Sequence, residues 1–241
     1  AFLEDLGAAL RQAGAQIHLN SPVEGIRHEN DATIIRANGE DHTFDRVIST
    51  TSPRLLLKLA PEIAETEYGR KVAALEHMGA VVVIYALKHR LMPDDTYWLN
   101  LPADNADKSQ GKFPFLALVE HTNWLPKSHY NGDVLVYAGD YVPPEHEYFQ
   151  LSEDALAERF QATFKTFNPD FSPDWVRKTW VFRAPYAQPL PGVNHSGNIP
   201  PLQTPLPGIY WASMSQVYPY DRGTNFAVEI GRRAARQAMQ T

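Results

Sequence analysis

The stretch "GAVVVIYAL", Gly79 to Leu87, constrains the fold more than any other part of this chain. Nine residues pass without a charged side chain, which is far too short to span a bilayer. It must be a buried strand. Suitable partners follow at once. "TYWLNL", "FPFLALVEH" and "DVLVYAGDYV" are strand-like and are joined by polar loops such as "PADNADKSQGK". We therefore expect an antiparallel or mixed sheet over residues 79 to 142.

At 241 residues and 44% hydrophobic content, the chain can bury one large core or two modest ones. A formal charge of -6 without any Lys/Arg cluster argues against nucleic acid and against electrostatic binding to anionic membrane. A small-molecule substrate is the expected partner, and the oligomeric state is left open. Having no cysteine excludes disulfides, thiolate metal sites and a cysteine nucleophile, and it suits a cytoplasmic location. The chain opens on "AFLEDLGAALRQAG", already inside an amphipathic helix, with neither an initiator Met nor a signal-peptide pattern. A piece of a longer protein is expected.

In that first helix Phe2, Leu3, Leu6 and Leu10 share a face, and Gly14 closes it. "QIHL", "VEGIRHE", "ATIIRA" and "FDRVIST" then read as a small meander over residues 16 to 50, with turns at Asn20-Ser21-Pro22, Asn30-Asp31 and Asn38-Gly39. Ser52 is a natural N-cap and Pro53 a natural first helical residue; a second helix is expected over about 65 to 77. In "LSEDALAERFQATFKTF", Ser152 caps, Leu151 staples onto Leu156, and Leu156, Phe160 and Phe164 face inward. The helices near 53 to 76 and 152 to 167 are expected to pack on the sheet. Residues 185 to 207 carry seven prolines and read as an extended loop; "GIYWASM" is a last strand.

The chemical motifs are sparse. No two of the 14 glycines are separated by a single residue, so the dinucleotide fingerprint is missing, and Gly111-Lys112 lacks the earlier glycine of a phosphate loop. None of the nine histidines lies three or four residues from another, and His146 in "PEHE" is a single imidazole between carboxylates, so no metal site is expected. There is no GxSxG elbow. Trp98, Trp124, Trp175, Trp180 and Trp211 read as core residues before they read as a ligand platform. The segment "YPYDRGTNFAVEIGRRAARQA" is a turn running into a helix, with the tip Asp221-Arg222-Gly223-Thr224-Asn225. Helix-start amides favour an anionic or electron-rich oxygen, Gly223 permits close approach, and Thr224 or Asn225 can cap. From these residues alone, a plain capped surface helix is the simpler reading.

The order of segments settles more than any one motif. "VEGI", "DRVISTTSP", a β-rich insert, "RAPYAQP" and "TPLPGIYWASMSQVYPYDRGTNFAVEIGRRAA" together resemble the C-terminal two-thirds of the flavin-containing amine oxidase, protoporphyrinogen oxidase and phytoene desaturase superfamily. The resemblance implies FAD as cofactor, an N-terminal Rossmann segment of the same protein missing from this sequence, and hydride transfer from a C–H bond to the flavin. It implies that the backbone of Val23 lies at the adenine, that Thr50 and Thr51 lie beside the dinucleotide, and that Asp221, Arg222, Gly223, Thr224 and Asn225 hold the flavin and phosphate side. The fold it implies is α+β: a substrate-domain sheet, mixed or antiparallel, with flanking helices, plus the remnant of a discontinuous FAD-binding domain. The expected division is 1–58 for the adenine-side flavin segment, 59–190 for the substrate domain, and 191–241 for the flavin-binding strand, turn and helix.

Departures from the family pattern narrow the chemistry. The lysine of amine oxidases, water-bridged to flavin, matches Val83. Of the two aromatic side chains that sandwich the amine, one matches Tyr186, the substrate-cleft candidate, and the other falls on Gly223; "ASMSQ" replaces the usual glycine and acidic residue. Oxidation of a larger apolar substrate is therefore expected over amine oxidation, with the catalytic residues unassigned and this chain alone inactive. The alternatives are a stand-alone binding module for an apolar or sugar ligand and a non-redox flavin mutase acting on a nucleotide sugar.

Overall fold

The structure, a computed structural model, describes residues 2–105 and 110–240, in two compact units: residues 1–75 with 191–241, and residues 76–190. The first unit opens with α1 (Phe2–Gln12), which ends as expected at Gly14 in the left-handed region, φ 92°, where the Ala15 amide donates to the Leu10 carbonyl. Its apolar face is uncovered: Phe2, Leu3, Leu6 and Leu10 are all exposed.

Three strands, β1 (Val23–Glu29), β2 (Ala32–Ala37) and β3 (Glu40–Phe44), form an antiparallel sheet. The two expected turns explain its register. Asn30 and Asp31 both take positive φ, as do Asn38 and Gly39, which matches a two-residue hairpin turn to the twist of the strands. "QIHL" forms no strand, and "FDRVIST" is divided between two sheets: Phe44 ends β3, whereas Val47 opens β4 (Val47–Ser49). The meander therefore stops at Phe44. Next comes α2 (Pro53–Leu59), whose Ser52 Oγ accepts from the Leu55 amide, followed by α3 (Pro61–Ala64) and α4 (Glu67–Ala73).

These helices were expected against the large sheet. Instead Leu56, Leu59, Ile63, Tyr68 and Val72 bury themselves with Ile26, Ile209 and Trp211 in the first unit's own core. The 58/59 boundary accordingly cuts through a core, and the compact unit runs on to Leu75. Helix formation stops at Ala73, short of the expected residue 77, because Glu76, His77 and Met78 are drawn into the next strand by Leu190, Pro189 and Gln188.

The second unit is one antiparallel five-stranded sheet built on β5 (Glu76–Leu87), β6 (Trp98–Asn100), β7 (Ala117–Glu120), β8 (Val134–Val142) and, after the helix α5 (Glu153–Gln161), β9 (Val176–Leu190), in the order β6-β7-β8-β5-β9. The apolar run lies centrally in β5, between β8 and β9, as its two-sided hydrophobicity requires. Val81, Val83, Tyr85, Val136, Ala138 and Leu118 share a core with Leu156, Phe160 and Phe164, and Ser152 Oγ caps α5 on the Ala155 amide at 3.2 Å. The proline-rich loop begins later than expected. Pro185 and Pro189 belong to β9, which tolerates their missing amides because it is an edge strand.

The chain returns to the first unit with α6 (His195–Asn198), β10 (Ile209–Trp211) and α7 (Thr224–Gln240). β10 pairs with β4 in parallel, Ile209 with Val47 and Trp211 with Ser49. Residues 1–50 and 208–241 thus fold together, as the segment order implies.

Candidate functional site

The parallel pair positions the first candidate site. The Val47 amide donates to the Gly208 carbonyl at 2.8 Å and the Ala212 amide to the Ser49 carbonyl at 2.9 Å, so both strands end at the same level. Thr50 and Thr51 leave one carboxyl end and Ala212 and Ser213 leave the other. Carboxyl ends of adjacent parallel strands are where open sheets bind ligands. Thr51 is fixed there twice: its carbonyl accepts from Trp211 Nε1 at 2.9 Å, and its hydroxyl lies 2.9 Å from Ser49 Oγ.

"ASMSQ" builds a closed turn in place of a glycine and an acid. The Ser213 amide donates to Gln216 Oε1 at 2.8 Å, the Ser215 amide donates to Ser213 Oγ, and Gln216 Nε2 reaches the Pro200 carbonyl at 3.0 Å. Further on, the Asp221 carboxylate turns back to accept from the Arg222 amide at 2.7 Å, and the rings of Tyr220 and Phe226 stack at 5.0 Å. The first helical bond runs from the Ala227 amide to the Gly223 carbonyl, which makes Gly223 the N-cap and corrects the expectation that Thr224 or Asn225 caps. Nor does Gly223 occupy the left-handed region. A Cβ there would instead stand 2.6 Å from Asn225 Oδ1, the end of a side chain that can turn away, so within the turn itself neither φ nor rigid packing demands a glycine.

Val23 opens β1, in a different sheet of the same unit, with a bulge between it and Gly25. Val23, Thr50, Thr51 and the tip from Asp221 to Asn225 therefore all belong to one unit. Tyr186 belongs to the other, where its ring lies 4.8 Å from His77.

The second unit holds a site that sequence reasoning missed. On the sheet face turned away from α5 is an apolar cavity of about 280 Å³, with Ala80, Val82, Ala117, Val119 and Gly139 as its strand floor and Tyr97, Trp98, His121, Tyr137 and Tyr141 among its walls. Strand alternation produces it. In β8 Val134, Val136 and Ala138 point into the core, which leaves Tyr137, Gly139 and Tyr141 on the other face. Burial and the neighbouring Tyr130 and Tyr97 push the Tyr137 phenol above its ordinary pKa. Val83, the lysine-matched position, faces the core; Ala80 and Val82 face the cavity, and both are apolar. The tryptophans are divided. Trp211 is core as expected, whereas Trp98 is 55% exposed on the cavity wall and Trp124 is 69% exposed.

Among the described residues no cluster of three or more His, Asp or Glu side chains is arranged to hold a metal ion, and no helix is long and apolar enough to cross a membrane. The family model for flavin-containing amine oxidoreductases matches residues 2–239. The chain belongs to that family. Its members are flavin-dependent oxidoreductases, and a flavin is the cofactor that membership implies. Solved structures repeat the fold at low identity. A candidate protoporphyrinogen oxidase from Exiguobacterium sp. 255-15 is 14% identical with a TM-score of 0.74, covering 99% of this chain and 51% of its own. An oxidoreductase from Methanosarcina mazei is 20% identical with a TM-score of 0.68, covering 95% of this chain and 52% of its own. The chain thus spans about half the length of these structures. A comparison with curated proteins returns no match.

Proposed function

We propose that this chain is the C-terminal part of an FAD-dependent oxidoreductase that oxidises a C–H bond of an apolar substrate, with the first unit contributing part of the FAD site and the second holding the substrate. The observation that carries the reading is the parallel β4–β10 pair, whose carboxyl ends lead to Thr50-Thr51 and to the turn before α7, in a chain matched to the family from residue 2 to 239.

The donor set fits a dinucleotide. The amides of Thr224, Asn225 and Phe226 precede the first internally bonded amide of α7, so they are available to an anionic oxygen, with the Arg222 guanidinium one residue before the N-cap. Gly223 leaves the backbone open to approach once the Asn225 side chain turns aside. The flavin would supply the hydride acceptor. The protein's own share is binding, orientation and exclusion of water: Thr51, Ser49 and Trp211 lock the strand ends, while the cavity desolvates and aligns an apolar substrate.

The remaining FAD contacts are assigned to an N-terminal Rossmann segment of the same protein. The exposed apolar stripe of α1 and the exposed Ile48 on β4 are surfaces such a segment would cover. The 241-residue chain by itself is then expected to be inactive and to hold FAD weakly or not at all. Full-length protein carrying the upstream segment should be yellow with stoichiometric, extractable FAD, and the 241-residue chain should be colourless. A full-length protein that neither carries nor takes up FAD overturns the proposal.

A further inference from the structure

The apolar cavity of the second unit has one polar end. His121 lines it just after β7, its ring packed 5.5 Å from Tyr130 and 5.6 Å from Tyr137. Behind the cavity wall, the Tyr130 hydroxyl lies 2.8 Å from His121 Nε2. That bond determines what the imidazole can offer a ligand. With Nε2 engaged, the ring is held in orientation and Nδ1 is left for whatever enters. If Tyr130 donates, Nδ1 carries the proton and meets an acceptor; if Nε2 donates to Tyr130, Nδ1 is itself an acceptor. A hydroxyl satisfies either tautomer, and a carbonyl satisfies the first.

Charge narrows the class. No Lys or Arg lines the cavity among the described residues, and strand alternation turns the buried Asp140 side chain to the face of Val136 and Ala138, away from the cavity. A carboxylate or phosphate on the ligand would be desolvated there with no cation to meet it. Size agrees with a compact ring system, since an apolar cavity of about 150 Å³ already holds benzene and this one measures about 280 Å³.

Resting on the reading of this cavity as the substrate's place, we propose that His121 determines specificity by hydrogen-bonding a neutral hydroxyl or carbonyl oxygen on an otherwise apolar, ring-containing substrate, with Tyr130 as its positioning residue. The sheet accommodates the apolar body, and His121 selects which end carries the oxygen.

The test is displacement of the neutral fluorophore N-phenyl-1-naphthylamine from the intact chain by four probes of one shape: naphthalene, 2-naphthol, 2-naphthoate and 2-naphthylmethylammonium. The wild type should bind 2-naphthol about fivefold more tightly than naphthalene, the net value of one hydrogen bond, and 2-naphthoate more weakly than either. His121→Leu should remove the preference for naphthol while leaving naphthalene affinity within about twofold, which also shows that the fold survives, and His121→Gln should restore part of the preference. Tyr130→Phe keeps the ring but loses the hydroxyl, so it should lower naphthol affinity alone; a merely structural role would move naphthalene as well. Equal affinity for naphthol and naphthalene in the wild type overturns the proposal. So does a preference that persists in His121→Leu or disappears in Tyr137→Phe, and so does tighter binding of the ammonium probe, which would show selection of a cation rather than of a neutral oxygen. Flavin content of the full-length protein is scored separately. Colourless full-length protein alongside a naphthol preference removes the flavoenzyme reading and leaves the role of His121; flavin-loaded protein with no preference in the chain removes the role of His121 alone.

Discussion

Glu120 is the buried charge that the second unit can least easily lose. It ends β7 with no exposed surface, and its Oε2 accepts from two backbone amides of the turn after β5, Leu91 at 3.0 Å and Met92 at 2.7 Å. Oε1 faces the Arg90 guanidinium, whose Nε stands 3.5 Å away. Both amides belong to buried residues. Glu120→Ala would strand two buried donors at about 1–3 kcal/mol each, partly offset by removal of a desolvated charge, so we expect a loss of about 2–4 kcal/mol. Glu120→Gln keeps a carbonyl oxygen for the same amides and sheds the charge, and should cost about 1 kcal/mol or less at neutral pH.

The pH dependence of the same residue has an unusual sign. Burial raises the Glu120 carboxyl above the ordinary carboxylate range, against the opposing pull of the Met92 amide, the Arg90 guanidinium and the Leu91 amide. The folded state therefore holds this proton more readily than the unfolded state. Between the two pKa values stability falls as pH rises, and it is recovered as pH drops back into the ordinary carboxylate range. Denaturant melts of wild type, Glu120→Ala and Glu120→Gln across that window measure both effects. Glu120→Gln should flatten the slope that wild type shows. A Glu120→Ala cost below about 0.5 kcal/mol, or an unchanged slope in Glu120→Gln, would refute the argument.

Two further perturbations probe the first unit. Gly69→Ala should cost about 3 kcal/mol, because the added Cβ would stand 2.1 Å from the Ile63 carbonyl oxygen and 2.7 Å from Ala64 Cα, both rigid backbone; a denaturation midpoint near wild type would show that α3 and α4 can part cheaply. In the full-length protein Gly223→Val should abolish flavin retention, while Asp221→Ala, which loses the exposed hydrogen bond to the Arg222 amide and the 3.7 Å ion pair with the Arg222 guanidinium, should cost about 0.5–1.5 kcal/mol and keep most of the flavin. Since Gly223 needs no positive φ and its Cβ would meet only a side-chain tip, the thermal midpoint of Gly223→Val apoprotein should stay close to wild type. Flavin content after gel filtration, read beside that midpoint, separates the two effects, and a fully loaded Gly223→Val protein would reduce the turn to an ordinary cap.

Much of the fold was legible because local rules acted alone. Ser52 and Ser152 cap the helices they precede, and the Asn-Asp and Asn-Gly pairs make the turns their backbone preferences demand. What was not legible depended on partners distant in sequence. Nothing within residues 74 to 78 says that the helix must stop; Pro189 and Gln188, over a hundred residues away, take those residues into β5. Pro185 and Pro189 spoke for a loop, and only sheet order reveals an edge where their missing amides are harmless.

The candidate sites divide along the same line. The tip from Asp221 to Asn225 is a local strand, turn and helix, and its importance could be read from segment order, whereas its capping residue depended on which carbonyl the first helical bond reaches. The cavity is non-local, drawing on β5, β6, β7 and β8, yet it left one trace. In "VLVYAGDYV" the core positions are Val134, Val136, Ala138, Asp140 and Val142, while the alternate face reads Leu135, Tyr137, Gly139 and Tyr141. A Cβ at Gly139 would stand 3.1 Å from Val82 Cγ2 and 3.2 Å from the Val81 carbonyl oxygen, so the glycine lets β8 sit close against β5 and keeps the floor low between the two tyrosines. Two aromatic walls with a gap between them are what an apolar, flat ligand requires. His121 at the end of that gap turns an apolar surface into one that can select for an oxygen.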